Sequence, residues 1–278
     1  MRPLTRRDVE TFVEHRPPPG LAGYLTCTWQ QQVGRTPYAQ RTVPNGSVEL
    51  VWSSGSPVSL VGPQSGPTVS VVAPGTVRVG VRLRPAVAPA LLGLPAAELR
   101  DLEVGVGTLG GRSTEALDDE LARASTPATA LAALQRWLLA RRADARPLDP
   151  VAVEAVRRLS PGPRSGAANE VATIARALSV SERQLRRRVE AAVGLAPKPL
   201  QRALRFQRFL ALAAATERPS TQLAALAAAS GYADQSHLNR EAVRLAGRTP
   251  RALLLEVEHH CDGAHDHAAS YAPLLRSR

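Results

Sequence analysis

The chain has 278 residues, 35 basic and 24 acidic side chains for a net charge of +11, and 44% hydrophobic against 4% aromatic residues. The length allows two domains, no apolar run approaches the roughly 20 residues of a membrane span, and the charged start MRPLTRRDVE lacks the apolar core of a signal peptide. Cys27 and Cys261, far apart, argue against a disulfide framework and fit a reducing cytoplasm.

The charge is unevenly placed. Residues 1–149 carry a net of +3, residues 150–256 a net of +9, and residues 257–278 a net of −1. Nearly every basic residue is arginine, which a genome's compositional bias would produce unaided; the concentration of the excess in one segment is the informative feature. A localised basic domain is the electrostatic footprint of a polyanion partner.

Residues 1–110 are expected to form a β-rich sensor or dimerisation domain. From 17 onward they are rich in Pro, Gly and Val, with short extended patterns. VELVW (48–52) follows the turn signal PNG (44–46). TVRVGVRLRP (76–85) alternates, placing Val77, Val79, Val81 and Leu83 on one face and Arg78, Gly80, Arg82 and Arg84 on the other, the period of a half-buried strand. Several such strands between Pro and Gly turns indicate a small barrel or sandwich. Trp29, Trp52, Glu49, Arg82 and Arg84 are the side chains able to line an effector pocket, and are equally readable as core aromatics and outward strand charges. Metal-dependent catalysis in a barrel needs several converging His and carboxylates; this half has one histidine beyond any strand pattern, His15, so no enzyme is expected. Cys27, in TCTW, reads as a buried small hydrophobe.

The character changes at 87–100, where APALLGLPAAELR looks helical. A helical connector follows over 111–149. STEALDDELARA (113–124) places Leu117 and Leu121 at i, i+4, and PATALAALQRWLLARR (127–142) aligns Leu131, Leu134 and Leu138 behind Pro127. This second helix suits either a dimer contact or a cover on the barrel. RADARPLDP (142–150) links it to the next domain.

Residues 150–256 are helical throughout. SERQLRRRVE (181–190) puts four arginines into six positions. Ser181 and Gln184 form a capping box. Leu185, Val189 and Ala192 face inward, leaving Arg183, Arg186, Arg187 and Glu190 outward and Arg188 on the flank. Gly194 and Pro197 end the helix. ATIARALSV (172–180) is a short helix just upstream, so the pair is a helix-turn-helix. The arrangement recurs: Leu185, Arg187, Gly194 and Pro197 match Leu238, Arg240, Gly247 and Pro250, each 53 residues on, while Ala175 matches Ala227, 52 on. The second turn is therefore one residue longer. There Asp234 is the N-cap, Leu238, Ala242 and Leu245 face inward, and Ser236, His237, Arg240 and Arg244 face out. PLQRALRFQRFLALAAATE (199–217) is an apolar helix between the copies, long enough at about 27 Å to hold two recognition helices near one DNA turn of about 34–36 Å.

Residues 169–255 resemble the DNA-binding domain of AraC-type (AraC/XylS) transcriptional regulators. The likeness rests on IARALSVSERQLRRRVEAAVGLAPK, RALRFQRFLAL and LAALAAASGYADQSHLNREAVRLAGRTPRALL. The resemblance implies two helix-turn-helix units on a long helix, with Arg183, Arg186 and Arg187 facing bases in one groove and Gln235, Ser236, His237 and Arg240 in the next. Ala242 and Val243 stand where members usually have an aromatic and a basic residue; the lost ring would loosen the second core by about 3 kcal/mol if uncompensated. HRPPPGLAGYLTCTW, VPNGSVELVW and VGVRLRPAVAPALLGLPAAEL are similar to the sensor half of a subgroup of these regulators, implying a cupin-like barrel. Members often have Asp-Gly-Cys where Asn45, Gly46 and Ser47 stand.

The fold expected is thus α+β: a β-rich cupin-like barrel, then an all-α bipartite helix-turn-helix domain. Residues 257–278 are expected as a disordered polar tail; their His259, His260, Cys261, His265 and His267 match no standard zinc spacing, and no metal or cofactor is assigned. The function implied is a cytoplasmic, sequence-specific regulator of transcription. Double-stranded DNA is its partner; RNA polymerase, a second copy of the chain and a small effector are further candidates, and a membrane is not. The alternative is a non-enzymatic ligand-binding module whose basic half docks an acidic partner without sequence specificity.

Overall fold

The computed structural model describes residues 11–160, 169–260 and 265–275. Nine strands are present among them: β1 (Thr11–His15), β2 (Leu25–Gln32), β3 (Tyr38–Thr42), β4 (Glu49–Ser53), β5 (Ser59–Val61), β6 (Thr68–Val72), β7 (Val77–Leu83), β8 (Glu103–Gly105) and β9 (His265–Asp266). Seven form one sheet in the order β8-β5-β4-β7-β2-β1-β9, and β3 pairs with β6 apart from it. Every pairing is antiparallel except β1 with β9.

Strand alternation decides what each face carries. From β4 and β7, Leu50, Trp52, Val79, Val81 and Leu83 point into the main core. That core is closed by α1 (Ala88–Leu92), α2 (Arg112–Ala122) and α3 (Pro127–Ala143). Thr126 and Thr129 form a capping box ahead of α3, with Pro127 in its first turn. Ala130, Ala133, Leu134, Trp137 and Leu138 of α3 are buried against the sheet, so this helix is its cover. The segment expected as one helix over 87–100 is broken instead. Gly93 takes a left-handed φ of 82° after α1, Pro95 follows, and Ala96–Leu99 forms a separate 3₁₀ turn.

The opposite face of β7 is not the solvated surface that a half-buried strand implies. Phe12, Cys27, Trp29 and Val51 build a second small core there, with Ala269 of α11 (Ala268–Leu275) against it. Residues 265–275, placed by the sequence reading in a disordered tail, are ordered because they have somewhere to dock. β9 lengthens the sheet beside β1, and α11 packs on β1, β2 and the long helix α7 (Pro197–Ala214). Cys261 lies outside the described residues.

The helical region comprises α4 (Pro150–Leu159), α5 (Val171–Ala177), α6 (Glu182–Val193), α7, α8 (Leu223–Ala229), α9 (Gln235–Ala246) and α10 (Pro250–His260). Asp149 caps α4 by accepting from the backbone N–H groups of Val151 and Ala152. Two cores lie along α7. One takes Leu200 and Leu204 with α4, α5 and α6; the other takes Phe206, Phe209 and Ala213 with α8, α9 and α10. Among the described residues, no helix is long and apolar enough to cross a membrane.

Candidate nucleic-acid interface

The two halves along α7 have the same local build. α5 ends in a turn whose Ser179 has a left-handed φ of 54°, and α8 ends in one whose Gly231 has a φ of 82°. In each, the next residue's N–H returns to the carbonyl of the matched alanine: Val180 to Ala175 at 3.0 Å and Tyr232 to Ala227 at 2.9 Å. The Ser181 hydroxyl accepts from the Gln184 N–H at 3.2 Å, and the Gln184 side chain accepts from the Ser181 N–H at 2.9 Å. Asp234 accepts from the His237 N–H at 2.6 Å. Gly194 and Gly247 end α6 and α9 in left-handed conformation. The capping box, the longer second turn and both C-caps therefore stand where the residue pattern puts them.

Inward positions are buried as the periodicity predicts: Leu185, Val189 and Ala192 in α6, and Leu238, Ala242 and Leu245 in α9. Arg183, Arg186 and Arg187 are exposed on α6, as are Gln235, Ser236 and Arg240 on α9, with His237 partly covered. Edge contact with Tyr232, centroids 5.2 Å apart, accounts for that cover. Ala242 does not leave a core short of rings. Phe206, Phe209 and Tyr232 surround the second unit, whereas the first is built from aliphatic residues alone.

Ion pairs tie each helix to its support. Arg188, on the flank of α6, donates to Asp149 at 2.8 Å, so it braces the N-terminus of α4 rather than joining the outward stripe. Arg202 of α7 grips both carboxylate oxygens of Glu241 in α9, its Nε at 2.7 Å. Burial opposes ionisation of Glu241, but the Arg202 fork outweighs it and holds the carboxyl below its usual range. Glu241 and Arg202 stand 39 residues apart in the chain, so no local pattern pairs them.

The N-terminal half reaches both recognition helices. Arg41 donates to the Ala246 carbonyl at the end of α9 at 3.0 Å, and Gln207 of α7 donates to the Pro44 carbonyl at 3.0 Å. Arg100 pairs with Glu190 of α6 at 3.1 Å. Between the 3₁₀ turn and α6 lies an open groove of about 390 Å³, its walls including Glu98 on one side and Arg183, Arg186 and Arg187 on the other.

The residues proposed for an effector divide. Glu49 accepts from Trp29 Nε1 at 3.0 Å and from Arg82 Nε at 2.7 Å, so these three meet on one face of the sheet. Trp52 belongs to the main core on the other face, by strand alternation. Arg84, beyond the end of β7, donates to the carbonyls of Ala22 and Leu25. The cluster also contains Glu14, which the sequence reading passed over. Its side chain is 0% exposed and meets Arg82 Nη1 at 3.0 Å, the Ser270 N–H at 2.9 Å and His267 Nδ1 at 3.5 Å. Burial would raise its pKa, yet the hydrogen bond from His267 and the charge of Arg82 bring it down to about 2. Burial pushes the Cys27 thiol up, so it stays a neutral apolar side chain. Among the described residues, no three His, Cys, Asp or Glu side chains stand together as metal ligands.

Two matched helix-turn-helix units on one strut, each presenting a polar outward helix, define a class of nucleic-acid-binding domain. Comparison with known proteins agrees. Residues 174–255 match the family described as a helix-turn-helix domain, and residues 13–105 match a domain of unknown function, DUF6597. The C-terminal region thus carries a helix-turn-helix domain. No curated protein matches the chain. Among solved structures, ToxT from Vibrio cholerae O395 is 12% identical at a TM-score of 0.44, over 88% of this chain and 97% of that one. Wild-type ToxT of Vibrio cholerae strain SCE256, bound to an unsaturated fatty acid, is 12% identical at a TM-score of 0.45, over 96% and 100%.

Proposed function

We propose that the protein is a sequence-specific DNA-binding transcriptional regulator that places α6 and α9 in successive major grooves. The observation that carries this reading is the repeated unit itself, with a left-handed residue at the matched turn position and exposed polar stripes at both ends of α7. The 18 residues of α7 span about 27 Å, and recognition helices beside its ends suit one turn of about 34–36 Å. Arg183, Arg186 and Arg187 on one side, and Gln235, Ser236, His237 and Arg240 on the other, supply the base contacts. A guanidinium fork on guanine is worth about 1–3 kcal/mol of discrimination. The arginines that meet phosphates supply affinity without sequence preference.

The N-terminal sheet acts as the regulatory half. A small effector would engage Trp29, Glu49 and Arg82 by displacing the C-terminal segment that covers that face. Action in the cytoplasm, pairing of two copies and contact with RNA polymerase complete the proposal, supported by the kind of domain alone.

Selection of bound duplexes from a random pool at two salt concentrations is the test. A regulator enriches one motif, and Arg186→Ala relaxes one position of it. A module that only docks acidic partners enriches nothing, and its binding collapses with salt for all duplexes alike.

A further inference from the structure

We infer that the sheet face carrying Glu14 is a binding site for a flat organic cation, an amidinium or a protonated nitrogen heterocycle, and that His267 of the returning C-terminal segment fills it as a built-in stand-in. The ligand's role as an effector rests on the proposed function; the site itself rests on geometry. The His267 ring stacks on Phe12 of β1, with centroids 4.7 Å apart and planes 30° apart. Tyr271, one helical turn on in the same segment, stacks on His267 at 5.4 Å. Trp29 lies 5.6 Å from Phe12 and extends the aromatic floor. His267 Nδ1 stands 3.5 Å from Glu14 Oε1. A ring laid on aromatic faces with its nitrogen edge toward a carboxylate is an arrangement that selects planar cations.

The charges on this face decide the sign of the ligand. Arg82 is already shared, its Nη1 3.0 Å from Glu14 and its Nε 2.7 Å from Glu49. Arg78 lies over the Trp29 ring and donates to Gln31, with Glu103 and Glu49 as its electrostatic partners. Beside His267, then, two carboxylates meet one guanidinium, and an arriving anion would face both. Glu14 is the demanding group. Its side chain is fully buried yet ionised, with a pKa of about 2. Besides Arg82, its donors are His267 and the Ser270 N–H, both from the C-terminal segment. Once the segment leaves, this buried carboxylate keeps only a guanidinium that Glu49 also holds, and such a charge needs replacement donors. A planar cation brings N–H groups and positive charge together; a neutral ring lacks the charge and an anion repels. The segment is open to competition. β9 pairs with β1 over two residues, Phe12 with His265 and Val13 with Asp266, and the His267 side chain remains 37% exposed.

Benzamidinium is the probe, with benzamide and benzoate as neutral and anionic counterparts of the same shape, each titrated calorimetrically into the full chain. His267→Ala opens the slot and should bind benzamidinium at least about tenfold more tightly than the wild type, which has a ring to displace. Benzamide and benzoate should bind this variant at least about tenfold more weakly than benzamidinium, the scale of one charge-assisted hydrogen bond. Adding Glu14→Gln should weaken benzamidinium to the same extent. In the wild type, saturating benzamidinium should speed hydrogen exchange over residues 265–275, because its ring takes the place of His267, while benzoate leaves the exchange unchanged. Failure of folded His267→Ala to bind benzamidinium, benzoate binding as tightly, binding that survives Glu14→Gln undiminished, or wild-type exchange that benzamidinium does not move overturns the site. These outcomes leave duplex selection untouched, so the regulator reading outlives them. A chain that binds benzamidinium through Glu14 but enriches no duplex keeps the site and loses the regulator.

Discussion

Ser179 and Gly231 hold the same left-handed position in the two helix-turn-helix turns, φ 54° and 82°, although only one is glycine. A side chain in this conformation costs roughly 1–2 kcal/mol, while glycine loses about 0.5–1 kcal/mol more chain entropy on folding. Nothing lies within 4 Å of a methyl group built on Gly231, so its replacement meets backbone strain alone. Gly231→Ala is expected to destabilise the second unit by about 1 kcal/mol, and Ser179→Gly to leave the first within about 0.5 kcal/mol, because its two effects offset. Urea unfolding midpoints at constant m-value measure both.

Arg186 and Arg188 are two residues apart and should behave oppositely. Arg188 is spent on Asp149, with both side chains about a third exposed; Arg188→Ala should cost less than about 1 kcal/mol of stability and leave base preference unchanged. Arg186 is exposed on the outward stripe, so Arg186→Ala should leave the unfolding midpoint alone and lose about 1–3 kcal/mol of discrimination at one position. Denaturant titration beside competition binding with single-base variants of the site separates the two roles.

Glu241→Gln breaks the fork that holds α9 on α7. The carboxylate side chain is 12% exposed and that of Arg202 28%, so the loss should be about 1–3 kcal/mol. Because the folded pKa is depressed below its ordinary 4.5, this contribution is complete above that pH and fades as pH falls through the folded value. The wild type should therefore lose stability below about pH 4.5 more steeply than Glu241→Gln, as pH-dependent thermal melting would record.

Glu14 governs the docking of the C-terminal segment. With its pKa near 2, its stabilisation is present above the ordinary 4.5 and drains away as pH falls toward 2. Glu14→Gln leaves Arg82 and the Ser270 N–H with a weaker acceptor in a buried site, at an expected cost of about 3 kcal/mol. Hydrogen exchange over residues 265–275 should accelerate in this variant at neutral pH while α6 and α9 stay protected. Equal protection of that segment in both proteins would remove Glu14 from the role.

The recognition units were legible because every signal in them is local. Ser181 with Gln184, Leu185 with Val189, and Gly194 with Pro197 act within one or two helical turns, and repetition 53 residues on doubled the signal. Strand alternation likewise sorted the two faces of β7. It could not say that the arginine face is also covered, since the cover comes from residues some 190 positions later. Trp52 was grouped with Trp29 by chemistry, yet it lies on the other face of the sheet. APALLGLPAAELR carries a helical apolar pattern, but Gly93 and Pro95 within it end α1 and start a separate 3₁₀ turn.

By itself, then, the sequence determined the doubled helix-turn-helix with its caps, its inward leucines and its outward arginines, together with a strand-rich half ahead of it. Only the tertiary structure decided that Arg188 is a brace, that Glu14 anchors a returning segment, and that the 95–100 turn lies along α6. The physical reason is range: caps and periodicity are written into neighbouring residues, whereas the partner of a buried charge or an exposed helix face is chosen by the packing of the whole chain.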